Sequence, residues 1–287
     1  MAGSAATVRV GGVLVGNEAP LAFIAGLCVL ESERMLRTVA RGLKEVFARE
    51  AAPFILKCSF DKANRTSLRS FRGPGARLGL SLLKKVASES GVPVLTDVHE
   101  PWQAELAAEY VDALQVPAFL CRQTDLLVAC GRTMLPVNVK KGQFLSPLEM
   151  ARAVEKIEST GNDRILLTER GTFFGYGDLV VDMRSLAVLR GLGHPVVFDA
   201  THSVQFPASQ GPSSGGDRRH IWGLSRAAVA AGVAAVFVET HPRPDRALSD
   251  GPNSLPLGQV AEFVRQVREI DGVVKKFLHA KREGRAA

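Results

Sequence analysis

A thiolate, an imidazole and carboxylates can together hold a divalent transition metal, and clustered lysines and arginines can grip phosphate or carboxylate oxygens. This chain of 287 residues offers both sets. Cys28, His202, Glu239 and Asp250 are donors suited to zinc, ferrous iron, manganese or a similar divalent ion. Lys57, Lys62, Arg65, Arg122, Lys140 and Arg170 are cations, set against Asp97, Glu239 and Asp250. Asp97, His99 and His202 are groups able to carry protons near neutrality. Taken singly, each has a plainer reading: Cys28 as a small core residue, His202 as a loop residue, each lysine as surface. Cys58, Cys121 and Cys130 have no such company and read as structural.

The elements between these residues predict how they would meet. Apolar runs rich in Val, Ile, Leu and Phe fall at 21–25, 54–57, 93–97, 113–116, 135–139, 164–168, 195–199 and 234–239. They alternate little, as parallel strands buried on both faces do. Leu36, Val39, Ala40, Leu43, Val46 and Phe47 repeat at helical spacing. Further helical patterns lie at 78–87, 125–130, 149–158, 222–230 and 257–278. Eight strand–helix units predict an α/β fold, a (β/α)₈ TIM barrel, and residues 8–16 predict a leading β-hairpin turning at Gly11-Gly12.

The C-terminal strand ends of such a barrel converge on one mouth. Every predicted strand carries a polar residue at or just past that end: Cys28, Lys57 with Ser59, Asp97 with His99, Gln115, Lys140, Arg170, His202 and Glu239. The metal candidates follow the first, seventh and eighth strands, neighbours once the barrel closes. The cations predict anionic substrates with more than one phosphate or carboxylate. Glycine-rich stretches at 71–77 and 208–219 follow the second and seventh strands and predict loops that move over the site. These cations alone also fit a non-catalytic barrel that holds phosphorylated ligands, and Lys140 alone fits a Schiff-base aldolase.

Composition narrows the classes. The chain is 46% hydrophobic and 23% charged, which suits a globular core and excludes disorder and coiled coil. No linker rich in Pro, Gly or Ser divides it, so 1–287 reads as one domain, with 1–16 as the hairpin extension and 257–287 as a helical tail. Lys and Arg number 36 against 29 Asp and Glu, a formal charge of +7. The dense basic clusters lie near the C-terminus, around Lys275 and from Lys281 to Arg285, without interleaved aromatics, which argues against nucleic acid. The four cysteines form no CxxC pair, as expected in a reducing cytosol. No basic and apolar leader is present, and the longest apolar run, 227–238, is shorter than the ~20 residues of a membrane span. The expectation is a cytoplasmic protein without a membrane partner.

The segment Lys57-Cys58-Ser59-Phe60-Asp61-Lys62-Ala63-Asn64-Arg65-Thr66-Ser67 resembles the signature of the 3-deoxy-D-manno-octulosonate 8-phosphate synthases (KDO8P synthases). The likeness continues through Thr96 to Glu100, Pro117 to Asp125, Asn138 to Phe144, Thr168 to Gly171, Asp199 to Gln205 and Glu239 to Pro242. It implies a (β/α)₈ barrel, usually a homotetramer, that condenses phosphoenolpyruvate with arabinose 5-phosphate on the way to lipopolysaccharide or a plant wall polymer. A related synthase uses erythrose 4-phosphate and typically reads Lys-Pro-Arg-Thr. Here Lys62 is followed by Ala63-Asn64-Arg65-Thr66, the arabinose-phosphate pattern.

The resemblance implies roles residue by residue. Lys57, Ser59, Lys62, Gln115, Lys140 and Arg170 would hold phosphoenolpyruvate, while Asn64, Arg65, Thr66 and Asp97 would bind the sugar phosphate. Arg122 would reach the sugar's phosphate in a neighbouring subunit, and Gln205 would lie near the metal and the sugar. Lys62, Asp97, His99 and His202 would take part in the chemistry. Cys28 stands where metal-independent members carry Asn, which implies a metal-dependent enzyme with Cys28, His202, Glu239 and Asp250 as ligands. Leu27, in place of the usual Pro, and Gly251-Pro252 depart from the metal-dependent pattern.

Overall fold

The computed structural model describes residues 7–174, 177–210 and 213–283. Strands β1 (Thr7–Val10) and β2 (Val13–Gly16) pair antiparallel. Gly11 at their turn has φ +53°, a left-handed conformation that glycine adopts without a Cβ clash. Strand–helix alternation follows: β3 (Ala22–Val29), α1 (Glu33–Arg49), β4 (Phe54–Ser59), α2 (Ala76–Ser90), β5 (Val94–Asp97) and α3 (Pro101–Ala108). It continues with β6 (Ala113–Val116), α4 (Thr124–Arg132), β7 (Val137–Lys140), α5 (Met150–Glu158) and β8 (Ile165–Glu169). A short hairpin, β9 (Thr172–Phe173) with β10 (Leu179–Val180), precedes α6 (Arg184–Arg190) and β11 (Val196–Asp199). A second hairpin, β12 (Gln205–Gln210) with β13 (Ser213–Gly216), precedes α7 (Ile221–Ala230) and β14 (Ala235–His241). A two-residue strand, β15 (Leu255–Pro256), and the long α8 (Val260–Glu283) complete the order.

β3 to β8, β11 and β14 pair in parallel, and a β11–β14 ladder closes the ring into the expected barrel. The side chains alternate strictly across the barrel wall. Phe23, Leu56, Leu114, Leu167 and Phe198 face the helices, where Leu36, Val39, Leu43 and Phe47 of α1 form the expected apolar stripe. Ile24, Ile55, Leu95, Ala113, Leu166, Val197 and Ala235 face inward and pack with Val8, Val10, Val13 and Val15 of the hairpin, which plugs that end of the barrel. Moving two residues along each strand keeps the inward direction. Ile55 thus leads to Lys57 and Ser59, Leu95 to Asp97, Ala113 to Gln115, Leu166 to Thr168, and Val197 to Asp199.

Several expectations need adjustment. Cys28 lies within β3 rather than beyond it, because the β3–β4 ladder runs on through a bulge to Val29 and Ser59. The short helices α3 and α6 carried no clear apolar period. The stretch 208–219, expected as a loop, is partly the β12–β13 hairpin, with 211–212 outside the described residues. Among the described residues no helix is long and apolar enough to cross a membrane.

Gly26 pairs with Lys57 across the β3–β4 ladder, and a Cβ there would overlap the Lys57 carbonyl oxygen. Gly26→Ala should therefore destabilise the fold by ~1–3 kcal/mol or more, measured by urea unfolding. Unchanged stability would show that the ladder yields at this point.

Candidate active site

The inward residues at the C-terminal strand ends line a cavity of ≈ 490 Å³. Lys57 on β4 is its buried centre. Its Nζ donates to the Cys28 carbonyl at 2.9 Å and to Glu239 Oε1 at 2.8 Å, and lies 3.5 Å from Asp97 Oδ2. Burial works against the ammonium, but Glu239 and Asp97 outweigh it and hold Lys57 charged. Burial likewise disfavours ionised Asp97, yet Lys57, Lys140 and hydrogen bonds from Ser59 and Gln115 keep it well below the usual carboxylate range.

Asp199, to which the sequence reading gave no role, organises the other side. Its Oδ2 accepts from Lys140 Nζ at 2.6 Å and meets His202 Nδ1 at 2.8 Å. Its Oδ1 accepts from the main-chain N–H groups of Thr201 and His202. With Nδ1 engaged, the His202 ring presents Nε2 at 3.7 Å from both Glu239 Oε2 and Asp250 Oδ2. Lys140 also stands over the Phe237 ring, 3.7 Å from its centroid.

Donor atoms of Cys28, Glu239 and Asp250 lie within 4.8 Å of one another. Cys28 Sγ is 3.1 Å from Asp250 Oδ2 and 3.2 Å from Ser249 Oγ. Glu239 Oε2 is buried with no hydrogen-bond partner. Burial, and then Asp250 and Glu239, push the Cys28 thiol up, a situation that a divalent cation would reverse. The donor set therefore fits a transition metal, with His202 Nε2 turned toward both carboxylates.

The loop between β4 and α2 supplies the opposite wall. The Arg72 guanidinium pairs with Asp61 and the Arg72 carbonyl oxygen accepts from Lys62 N, which ties the loop's two arms together. Lys62 Nζ reaches Asp250 Oδ2 at 2.6 Å, and Arg65 bonds Ser249 Oγ. Asn64 and Thr66 line the cavity beside them. Arg170 donates to Gln205 Oε1 at 3.1 Å, while its Nη1 is buried without a partner. Gln205 in turn donates to Asp250 Oδ1 at 3.2 Å. Glu169 holds the Arg170 and Gly171 N–H groups and is braced by Ser185 and buried Lys141.

The fold thus brings Cys28, Lys57, Ser59, Lys62, Asn64, Arg65, Thr66, Asp97, His99, Gln115, Lys140, Arg170, His202, Gln205, Glu239 and Asp250 to one mouth. Arg122 is exposed and stands outside the cavity of its own chain. The sequence reading missed Asp199, Ser249 and Gln143, a buried residue that lines the cavity with its Oε1 unpartnered. Asp199 ends a strand in the same segment as His202, and that was its only signal.

Residues 4–276 match the DAHP synthetase I family. The chain is 58% identical over 269 residues to the 2-dehydro-3-deoxyphosphooctonate aldolase of Syntrophotalea carbinolica, covering 94% of this chain and 97% of that protein. The proteins of the same name from Acidithiobacillus ferrooxidans and Geobacter metallireducens are 54% and 53% identical over 268 residues, 93% of this chain and 95% and 98% of theirs. The chain belongs to the 2-dehydro-3-deoxyphosphooctonate aldolases of the DAHP synthetase I family.

His99 faces this mouth with its ring edge-on to Phe60 and Nδ1 near Gln103. Burial holds its pKa below the ordinary imidazole range, against the pull of Asp97 and Asp61. The unfolded chain takes up a proton at this residue near pH ~6.5 that the folded chain does not, so stability falls as pH drops through that range. His99→Gln should flatten this fall in urea melts between pH ~7.5 and ~5.5; parallel curves would remove His99 as a contributor.

Proposed function

We propose that this chain condenses phosphoenolpyruvate with arabinose 5-phosphate and water, giving 3-deoxy-D-manno-octulosonate 8-phosphate and inorganic phosphate. The observation that carries the reading is the convergence of buried Lys57, Lys140 and Arg170 on one cavity that also faces Asn64, Arg65 and Thr66. Two anionic substrates held side by side need such a grip, and the relatives' name states the product of that reaction. The free thiols of all four cysteines fit a reducing cytoplasm.

In this reading Lys57, Ser59, Lys62, Gln115, Lys140 and Arg170 hold the carboxylate and phosphate of phosphoenolpyruvate. Asn64, Arg65, Thr66 and Asp97 hold the sugar phosphate with its aldehyde carbon against C3 of the enol. The C3–C1 bond forms, water adds at C2, and the resulting hemiketal phosphate breaks its C2–O bond to release phosphate. Juxtaposing the two substrates lowers the entropic part of the barrier. Lys57, Lys140 and the unpartnered Arg170 Nη1 stabilise charge that develops on the carboxylate and the departing phosphate. His99, held neutral by burial, accepts the proton that the water loses as it adds at C2, and the alkoxide formed at C1 takes one up, with His202 as a further carrier. Cys28, His202, Glu239 and Asp250 would hold a divalent metal, which supplies Lewis-acid chemistry when bound.

Arg122 completes the sugar-phosphate grip of a neighbouring copy in a homotetramer. Exposed Phe119, Phe144, Leu148, Phe173 and Phe174, on the segments that follow β6, β7 and β8, offer apolar surface for such an assembly.

The direct test is phosphate release from phosphoenolpyruvate with arabinose 5-phosphate, before and after chelation. Release should vanish with chelator and return with divalent metal, and Cys28→Ala should lose activity and bound metal together. Release that survives verified metal removal would overturn the metal reading, and release only with erythrose 4-phosphate would overturn the substrate. Arg122→Ala should raise the KM for the sugar phosphate ~10-fold or more, as the loss of a charge-assisted contact does; an unchanged KM would remove Arg122 from the site.

A further inference from the structure

A chain of side-chain hydrogen bonds crosses four neighbouring strands beneath the cavity. Thr168 Oγ1 on β8 donates to Asn138 Oδ1 on β7 at 2.6 Å. Asn138 Nδ2 donates to Gln115 Oε1 on β6 at 2.8 Å. Gln115 Nε2 donates to Asp97 Oδ1 on β5 at 2.7 Å. The strand register places Asp97 opposite Gln115 and Gln115 opposite Asn138. Thr168 and Asn138 are fully buried and do not line the cavity, whereas Gln115 and Asp97 do.

The polarity of this chain is forced from one end. Asp97 is ionised and can only accept, so Gln115 must turn its NH₂ toward it. Gln115 Oε1 then faces Asn138, which must offer its own NH₂. Asn138 Oδ1 in turn faces Thr168, whose hydroxyl must donate. One N–H of Gln115 goes to Asp97 and its oxygen to Asn138, so the second N–H is what remains for a ligand.

We propose that Asn138 and Thr168 are positioning residues that fix the Gln115 carboxamide as a donor-only group at the cavity floor, which selects for an acceptor oxygen of the bound anion. A carboxylate or phosphate oxygen meets an N–H there and never an amide oxygen. Neither residue touches the ligand, and both act through Gln115. The proposal rests on the reading that Gln115 contacts phosphoenolpyruvate.

The test is calorimetric titration of phosphoenolpyruvate into the parent protein and its variants, with thermal melting as the check on folding. Asn138→Asp places an acceptor against Gln115 Oε1 when ionised. At pH ~8 it should bind phosphoenolpyruvate ~10-fold more weakly than the parent. As the pH falls the new carboxyl takes a proton that it can donate to Gln115, so the ratio of variant to parent affinity should recover. A loss of packing alone would not produce that pH-dependent ratio. Thr168→Val should weaken binding severalfold while Thr168→Ser, which keeps the hydroxyl, restores it. A folded Asn138→Asp protein with parent affinity at pH ~8 overturns the proposal. If that variant does not fold, equal affinities for Thr168→Val and Thr168→Ser overturn it. A parent that binds phosphoenolpyruvate without releasing phosphate in the presence of arabinose 5-phosphate refutes the reaction, while the variant affinities still decide the relay. A parent that does not bind phosphoenolpyruvate refutes both.

Discussion

Charge has to cancel inside the mouth of this barrel, and most of the site follows from that. Lys57, Lys62, Lys140 and Arg170 stand against Asp97, Asp199, Glu239 and Asp250, and Arg65, Asp61 and Glu100 also line the cavity. Three pairs are hydrogen-bonded, Lys57 with Glu239 at 2.8 Å, Lys62 with Asp250 at 2.6 Å and Lys140 with Asp199 at 2.6 Å, and Lys57 also pairs with Asp97 at 3.5 Å. Deleting one member of a buried pair leaves a charge that costs ~3–5 kcal/mol. A phosphate and a carboxylate arriving together upset this balance. They compete with the resident carboxylates for the same ammonium groups, so further positive charge must be drawn in. The Arg122 of a neighbouring copy and a divalent cation on the Cys28 set are the sources that the proposed function supplies. In that reading the metal ligands and the anion grip form one electrostatic arrangement.

The barrel can carry so many charges because the rest of its interior is closed. The same inward-facing positions that hold Ile55, Leu95, Ala113, Leu166 and Val197 at the hairpin end hold Lys57, Asp97, Gln115, Thr168 and Asp199 two residues later. One strand step of two residues thus separates a dry apolar plug from a charged site. Phe237 marks the boundary, since it packs with the plug residues and also lies beneath Lys140 and Lys57. The low-dielectric floor strengthens each pairing above it, and it also makes every unpaired polar atom there expensive.

How much of this was legible in the sequence depends on whether a feature is local. Eight apolar runs, the α1 stripe and the Gly11-Gly12 turn are local patterns, and the structure has them. Polar residues at strand ends were visible for the same reason. The alternation along the strands was not, because both faces are apolar over most of each strand and only the last two or three positions change character. The helices α3 and α6 are too short to show a period. Asp199, Asn138 and Thr168 were hidden more deeply. Their partners lie on neighbouring strands, and the strand register sets those pairings, which no spacing along the chain reveals. Ser249 meets Cys28 from 221 residues away and was hidden in the same way. The apparent departure at Leu27 has a local account: Leu27 packs into the outer core, and Cys28 still turns toward Asp250 through the bulge.

Asp250 is the point at which these separate groups become one site. Its backbone is left-handed at φ +49°, a conformation that Asp adopts more readily than most residues. Ser254 Oγ donates to its carbonyl oxygen at 2.9 Å. Its carboxylate meets Lys62 from the β4–α2 loop, Cys28 from β3, and Gln205, which is itself bonded to Arg170. Next to it Ser249 joins Arg65 of that loop to the Cys28 sulfur. The loop proposed to hold the sugar phosphate, the donor set suited to a metal and the grip on phosphoenolpyruvate therefore share one short segment, 249–250. A ligand that pulls Lys62 or Arg65 away from this segment changes the hydrogen bonds available to Cys28 and Asp250 at the same moment. In the proposed function, occupancy of the sugar-phosphate loop would therefore act on the metal set through these side-chain contacts.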